Sequence, residues 1–308
     1  MTALILGRRA ATTLLTVLAV VTLVFFMMRL LPGDPVEAML VEAGAPPGMV
    51  ERWRERYGLD QPLPVQYAIY LGSLAQGDLG ESILYRRAVT SLVAEQFPST
   101  IALSVTAFLV ALLLGGAGGL AAAMRPGSPA DNAVRLLSTA GVSLPTYWTG
   151  ILAILLFGAT LRWLPSGGSG TWRHLVLPAL TLGLASAGVI ARLTRASVLE
   201  AAAQPHVQVA LSRGLPRGLL ITRHVLRNAA PAVVAMLGLQ AGFLLAGTAI
   251  TETVFSRPGL GRLLVEAVVA KDYPLAQGCI VVAALTYTIA NAVSDTVADF
   301  LDPRVREP

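Results

Sequence analysis

Apolar residues in this chain come in long, nearly unbroken runs. Crossing a hydrocarbon layer takes about 20 residues of helix. Runs of that length lie at Ala10–Leu31, Thr100–Met124, Ala133–Leu161, Leu175–Leu193, Ala229–Ile250 and Ala276–Phe300. The pattern predicts an all-α integral membrane protein with six transmembrane helices. The first run follows Arg8 and Arg9, and its apolar core is too long for a signal-peptide core. The LPGDP after it offers no small-residue cleavage site, so a retained span is expected. The polar stretch 32–98 contains turns at GAPPG (44–48) and GLDQPLPVQY (58–67). There Met49–Tyr57 reads as a short polar helix and Gln66–Leu74 as an amphipathic one. Three parts are expected: residues 1–31 with the first span, an external segment at 32–98, and a five-helix core at 99–308. That core carries a cytoplasmic loop at about 195–228.

Composition agrees with this pattern. Hydrophobic residues make up 55% and charged residues 13%, with a mean hydropathy of +0.66. A soluble domain would carry about a quarter charged residues. The net charge of +5 is carried almost wholly by arginine, Lys271 being the sole lysine. Location matters more than the sum, and nothing here points to nucleic acid. With the N-terminus inside, the cytoplasmic pieces total +7 and the external pieces −2. Both termini and the basic loop are therefore expected in the cytoplasm. Gly115 and Gly119, and Gly238 and Gly242, stand four apart in two runs, the spacing at which membrane helices approach closely.

Residues that could carry chemistry are few. No glycine loop ends in Gly-Lys-Ser/Thr, and Lys271 sits in VVAKDYP, so the chain is not expected to hydrolyse ATP itself. Cys279 is the only cysteine, which leaves no intramolecular disulfide. His174, His206 and His224 have no cysteine or paired carboxylate at ligand spacing, and no metal site is expected. Asn291, Asp295 and Asp299 share one face near the end of the last span, as an ion relay or, in the favoured reading, as structural ion pairing. Gln240 is a lone amide in mid-span, read equally as a helix–helix hydrogen bond or as part of a translocation path. Glu252, just beyond that span, is read as facing a path or an external partner. Arg29, Arg162 and Arg173 are read as anchors at the outer surface.

One segment has no plain reading as a turn. Between Ala191 and Asn228 the chain carries six arginines against one acid, Glu200, and pivots on Gly214. A loop this long and basic, set between spans, reads as a docking surface for a cytoplasmic partner.

Several motifs resemble one family. They are LLPGDP (30–35), YGLDQPLPVQY (57–67), GDLGES (77–82), Arg213–Gly214–Leu215 with RHVLRN (223–228), LGLQ (237–240), ETVFSRPGLGRLLVEAVVAKDYPLAQG (252–278) and LDPRVRE (301–307). Together they are similar to the inner-membrane permease subunits of bacterial ABC importers for dipeptides, oligopeptides, glutathione and nickel. The resemblance implies the type I importer permease fold in the bacterial cytoplasmic membrane, with a second homologous permease subunit forming a heterodimeric pore. It also implies two ATPase subunits that bind ATP and Mg, with no cofactor in this chain, and an external solute-binding protein that delivers the solute. A peptide-like substrate is implied, with nickel, a metallophore or glutathione as the alternative; an ion-coupled secondary transporter is the more distant one. The coupling element maps to Val207, Gln208, Ala210, Arg213, Gly214, Leu215 and Arg217. Gln208 and Leu211 stand where the family usually has basic residues, and Asp299 where it has an apolar or small one. The EAA at 200–202 lies too far from Gly214 to be the loop signature it resembles.

Overall fold

A computed structural model describes residues 2–30, 48, 51, 52, 55, 58 and 60–301; side chains of 2–10, 28, 30, 295 and 297–301 are not described. Among the described residues the fold is helical, with one isolated bridge between Glu81 and Ala88. The elements are α1 (Thr2–Leu30), α2 (Leu63–Ala75), α3 (Val89–Met124), α4 (Pro129–Ser143), α5 (Thr146–Thr160), α6 (Arg173–Ala203), α7 (Pro205–Ser212), α8 (Arg217–Val254), α9 (Leu260–Val269) and α10 (Tyr273–Leu301). The amphipathic segment expected at Gln66–Leu74 lies within α2. The short helix expected at Met49–Tyr57 falls largely outside the described residues.

Among the described residues four helices, α3, α6, α8 and part of α10, are long and apolar enough to cross a membrane. A fifth span is obtained if α4 and α5 count as one, and the apolar part of α1, Ala11–Met27, is shorter. The continuous third span expected over Ala133–Leu161 is instead two helices bent by 106°. The cause is local. Pro145 disfavours helical backbone at Leu144, which lies at φ −87°, ψ 128°, and α4 stops there. Pro145 then caps the N-terminus of α5 at φ −60°, ψ 135°. Leu112–Gly116, Ile154–Thr160 and Leu220–Val225 form wider π-type turns within α3, α5 and α8.

The chain divides into two compact units, residues 1–99 with 258–288 and residues 100–257 with 289–308. The first has an apolar core in which Val24 of α1, Val89, Leu92 and Val93 of α3, Leu263 and Ala267 of α9 and Leu275 and Cys279 of α10 pack together. A polar knot holds it. Fully buried Asp272 accepts from Ser82 Oγ at 2.5 Å, Leu84 N–H at 2.9 Å and Leu275 N–H at 3.1 Å. The GDLGES turn and the KDYP turn are therefore two halves of one structure.

The second unit is built around α6, whose buried face meets α3, α4, α5 and α8. Small residues set the spacing. A Cβ at Gly119 would lie 2.5 Å from Ala191 O, and one at Gly115 would lie 2.7 Å from Ala187 O. Gly183 and Gly188 on α6 approach Ala107 O and Ser138 O as closely, at 2.7 and 2.6 Å. Without a hydrophobic drive between helices in lipid, this contact is what packing supplies. Gly238 of α8 makes a similar approach to Ser294 of α10.

Candidate functional site

The basic segment between Ala191 and Asn228 is mostly helical. Helix α6 runs on to Ala203, well past Leu193 where its apolar run ends, and α8 begins at Arg217, well before Ala229. Between them α7 starts on Pro205, where a missing N–H costs nothing. It ends in a left-handed Gly214 at φ +75°. Leu215 N–H reaches back to Ala210 O at 3.3 Å and Gly214 N–H to Leu211 O at 3.0 Å, closing the end of α7. Pro216 at φ −58°, ψ 137° then starts α8. The product is a helical hairpin pivoted on one glycine.

The hairpin is fastened along one side and open along the other. Val207 and Ala210 of α7 pack with Leu220, Val225 and Ala229 of α8 against Val198 and Ala201 of α6 and Ala123 of α3. Gln208 donates from Nε2 to Ala202 O at 2.9 Å, tying α7 to the end of α6. Asn228 donates to His206 Nε2 at 2.8 Å and to His224 O at 2.9 Å. The opposite side presents Val209, Leu211 and Leu219, each over two-fifths exposed, beside exposed Arg213 and Arg217. A cationic, partly apolar surface on a rigid base suits a protein partner with an acidic rim. The EAA at 200–202 forms the last turn of α6. Its Ala201 lies in the hairpin core and the Ala202 carbonyl accepts Gln208.

A second fastening was not foreseen from sequence. Asp131, with a side chain 1% exposed, takes a two-pronged bond from Arg195 of α6, at 2.6 Å from Nε and 2.9 Å from Nη2. Gly127 N–H adds a third donor at 2.9 Å. Ser128 caps α4 by accepting Asp131 N–H at 3.2 Å. Ser128-Pro-Ala-Asp131 is a helix-start pattern, but nothing in the spacing links Asp131 to Arg195, 64 positions away.

Gln240 sits in α8, half-buried, with Nε2 3.7 Å from Met236 Sδ and Oε1 without a partner. It lines a cavity of about 310 Å³ with Gly141, Leu144, Pro145, Thr146 and Phe243. That cavity lies where α4 gives way to α5. Non-helical backbone at membrane depth is tolerated where it borders a cavity, and here the break and the amide share one. Glu252 lies inside α8, fully buried, and accepts Thr100 Oγ1 at 2.6 Å. Its carbonyl accepts Arg257 N–H at 2.8 Å. Burial lowers the pKa of the Arg257 guanidinium, and the nearby Glu252 partly offsets it. Arg29 lies against Phe25 and Gln66, and Arg173 Nη2 donates to Trp163 O at 2.7 Å. Asn291 is half-buried in α10; the side chains of Asp295 and Asp299 lie outside the described residues. Among the described residues no three His, Cys, Asp or Glu side chains gather to hold a metal.

Two family models match the chain. Residues 115–307 match the binding-protein-dependent transport system inner membrane component, and residues 1–104 match the N-terminal part of such a membrane component. The chain is 38% identical to the di/tripeptide transport system permease protein DppB of Pseudomonas aeruginosa, over 98% of each chain. It is 39% identical to the glutathione transport system permease protein GsiC of Salmonella choleraesuis, over 94% of this chain and 95% of the relative. Among solved structures, an inward-facing form of the MetNI methionine ABC transporter matches with a TM-score of 0.58 at 18% identity, covering 69% of this chain and 97% of that one. An amino acid ABC transporter with histidines matches with a TM-score of 0.52 at 18% identity, covering 70% and 94%. At that identity the likeness shows the fold alone.

Proposed function

We propose, because this chain belongs to the family of binding-protein-dependent transport system inner membrane components, that it forms one half of a pore through which an ABC importer draws a peptide-like solute inward. It is a multi-pass inner-membrane permease subunit. The glycine-pivoted hairpin at 205–228 is the observation that carries the energetic part of the reading. Its buried side is continuous with α6 and α8, so a push on its exposed side moves the spans as a rigid body. Energy then enters from separate ATPase subunits that bind ATP and Mg. Arg213 and Arg217, with Val209 and Leu211, meet the groove of one such subunit. The hairpin and both termini face the cytoplasm. A homologous permease completes the pore as a heterodimer, and an external binding protein hands over the solute. Gln240 and the α4–α5 break lie on the path.

Relatives named for di/tripeptide and for glutathione transport are of nearly equal identity. Both names denote short peptides, which favours a peptide backbone as the recognised feature. The test is uptake by proteoliposomes holding this chain, its partner permease, the ATPases and the binding protein. Labelled dialanine, glutathione and nickel are offered in turn. ATP-dependent accumulation of a peptide supports the reading; accumulation of nickel alone overturns the substrate class. Uptake that persists without ATPase subunits but collapses with the ion gradient would point to secondary transport through Asp295 and Asp299.

A further inference from the structure

The first unit holds a cavity of about 170 Å³ that the transport reading leaves unused. Its walls come from the end of α1, one face of α2, the turn at 78–80 and the first turn of α10.

Three hydrogen-bond donors meet there. Arg29 is fixed on two sides: its Nε donates to Gln66 Oε1 at 2.9 Å, and its guanidinium lies 3.6 Å over the Phe25 ring. Gln66 is itself held, donating to Gln61 O at 2.8 Å. The outer fork of Arg29 is left with one long contact, Nη1 to Phe25 O at 3.5 Å, and no carboxylate among the described residues pairs with it. Gln277 of α10 is 6% exposed, lines the cavity, and leaves its Nε2 without a partner. Tyr70 of α2 lines it too, with a buried hydroxyl that also lacks a partner. Burial pushes the Tyr70 phenol up to about 12, so it remains a neutral donor at physiological pH.

Buried polar groups are normally paired, and each orphan needs an explanation. Two orphans and a cation preset by stacking, all facing one void, have a common one: a missing acceptor with a negative charge. We propose that this cavity binds the carboxylate group of a small solute, with Arg29 supplying the charge and Gln277 and Tyr70 the flanking hydrogen bonds. Guanidinium matches carboxylate geometry with two parallel bonds. Asp78 also lines the cavity, its Oδ1 accepting Gly80 N–H at 2.9 Å. This negative charge at the wall disfavours a phosphate dianion and favours a singly charged ligand. The site is independent of which solute the assembly moves.

The full-length chain in detergent is dialysed against radiolabelled N-acetylalanine, with alaninamide and inorganic phosphate as competitors. The expected result is saturable binding of one N-acetylalanine per chain, unaffected by alaninamide and displaced only weakly by phosphate. Arg29→Gln and Gln277→Leu should each weaken binding at least tenfold. Gln277→Glu supplies a carboxylate from the chain itself; it should abolish binding without lowering the melting temperature, and so stands if Arg29→Gln fails to fold. Absence of saturable binding, equal competition by alaninamide, or unchanged binding in Gln277→Glu would overturn the proposal. Stronger displacement by phosphate, or by phosphatidylglycerol in nanodiscs than by phosphatidylcholine, would replace the carboxylate with a phosphate headgroup and overturn it as well.

Discussion

Gly119 and Gly218 are the same residue under opposite constraints. At Gly119 an added methyl would sit 2.5 Å from Ala191 O, so α3 and α6 would have to part. At Gly218 an added methyl meets nothing within 4 Å. Gly119→Ala is expected to cost about 2 kcal/mol, the usual penalty for overpacking. Gly218→Ala should be neutral or stabilise by up to about 1 kcal/mol through helix propensity. Thermal melting of the detergent-solubilised chain compares them, and equal shifts would refute the close packing of α3 on α6. The Asp131–Arg195 pair gives a second residue-level prediction. Arg195→Leu strands a carboxylate that faces away from solvent, whereas Asp131→Asn removes the charge and keeps one oxygen to accept Gly127 N–H. The single Arg195→Leu change should lower the melting temperature clearly. Adding Asp131→Asn to it should restore part of the loss, a coupling that a double-mutant cycle reads directly. Strict additivity would mean that the pair holds nothing.

Among the elements, the helices long enough to span were legible because membrane helices announce themselves by apolar length alone. What that signal misses is interruption inside an apolar run. Ala133–Leu161 reads as one span because Leu144-Pro145 changes backbone direction without changing hydropathy. The hairpin was half legible. Gly214 and the arginines marked the turn, but the charges at Arg192, Arg195 and Arg217 hid that α6 and α8 continue past their apolar runs. Pairing between distant polar residues was invisible from spacing: Ser82 and Asp272 are 190 positions apart. Their motifs stood out only through resemblance, with no reason attached. The structure supplies the reason, since Asp272 closes two turns at once. Asp272→Ala removes an acceptor of three hydrogen bonds and should destabilise the first unit by roughly 3 kcal/mol. Limited proteolysis should show faster cleavage near residues 77–88 in this variant. Wild-type cleavage rates would show that the turns hold themselves.

On the scale of the whole molecule, the family match covers both ends of the chain, and the fold likeness to a solved ABC transporter covers about 70% of it. Neither identifies where force enters. The proposed point of entry rests on the hairpin, whose inner side is built into the second unit and whose outer side is exposed among the described residues. The atypical Gln208 fits this division, because its amide is spent inward on Ala202 O. The outer surface therefore depends on Arg213, Arg217 and the exposed apolar residues beside them. Gly214 separates conformation from contact. Its φ of +75° suits glycine and tolerates asparagine, but is a genuine outlier for a β-branched residue. Among the described residues a Cβ there would touch nothing, so any defect arising within this chain comes from the turn, and Gly214→Asn controls for added bulk at the docking surface. The decisive measurement is ligand-stimulated ATP hydrolysis by the reconstituted importer carrying Gly214→Val, with Gly214→Asn alongside. Stimulation should be lost in Gly214→Val, with membrane insertion and subunit assembly intact, and largely kept in Gly214→Asn. Normal stimulation in Gly214→Val would contradict the assignment of the hairpin as the coupling element.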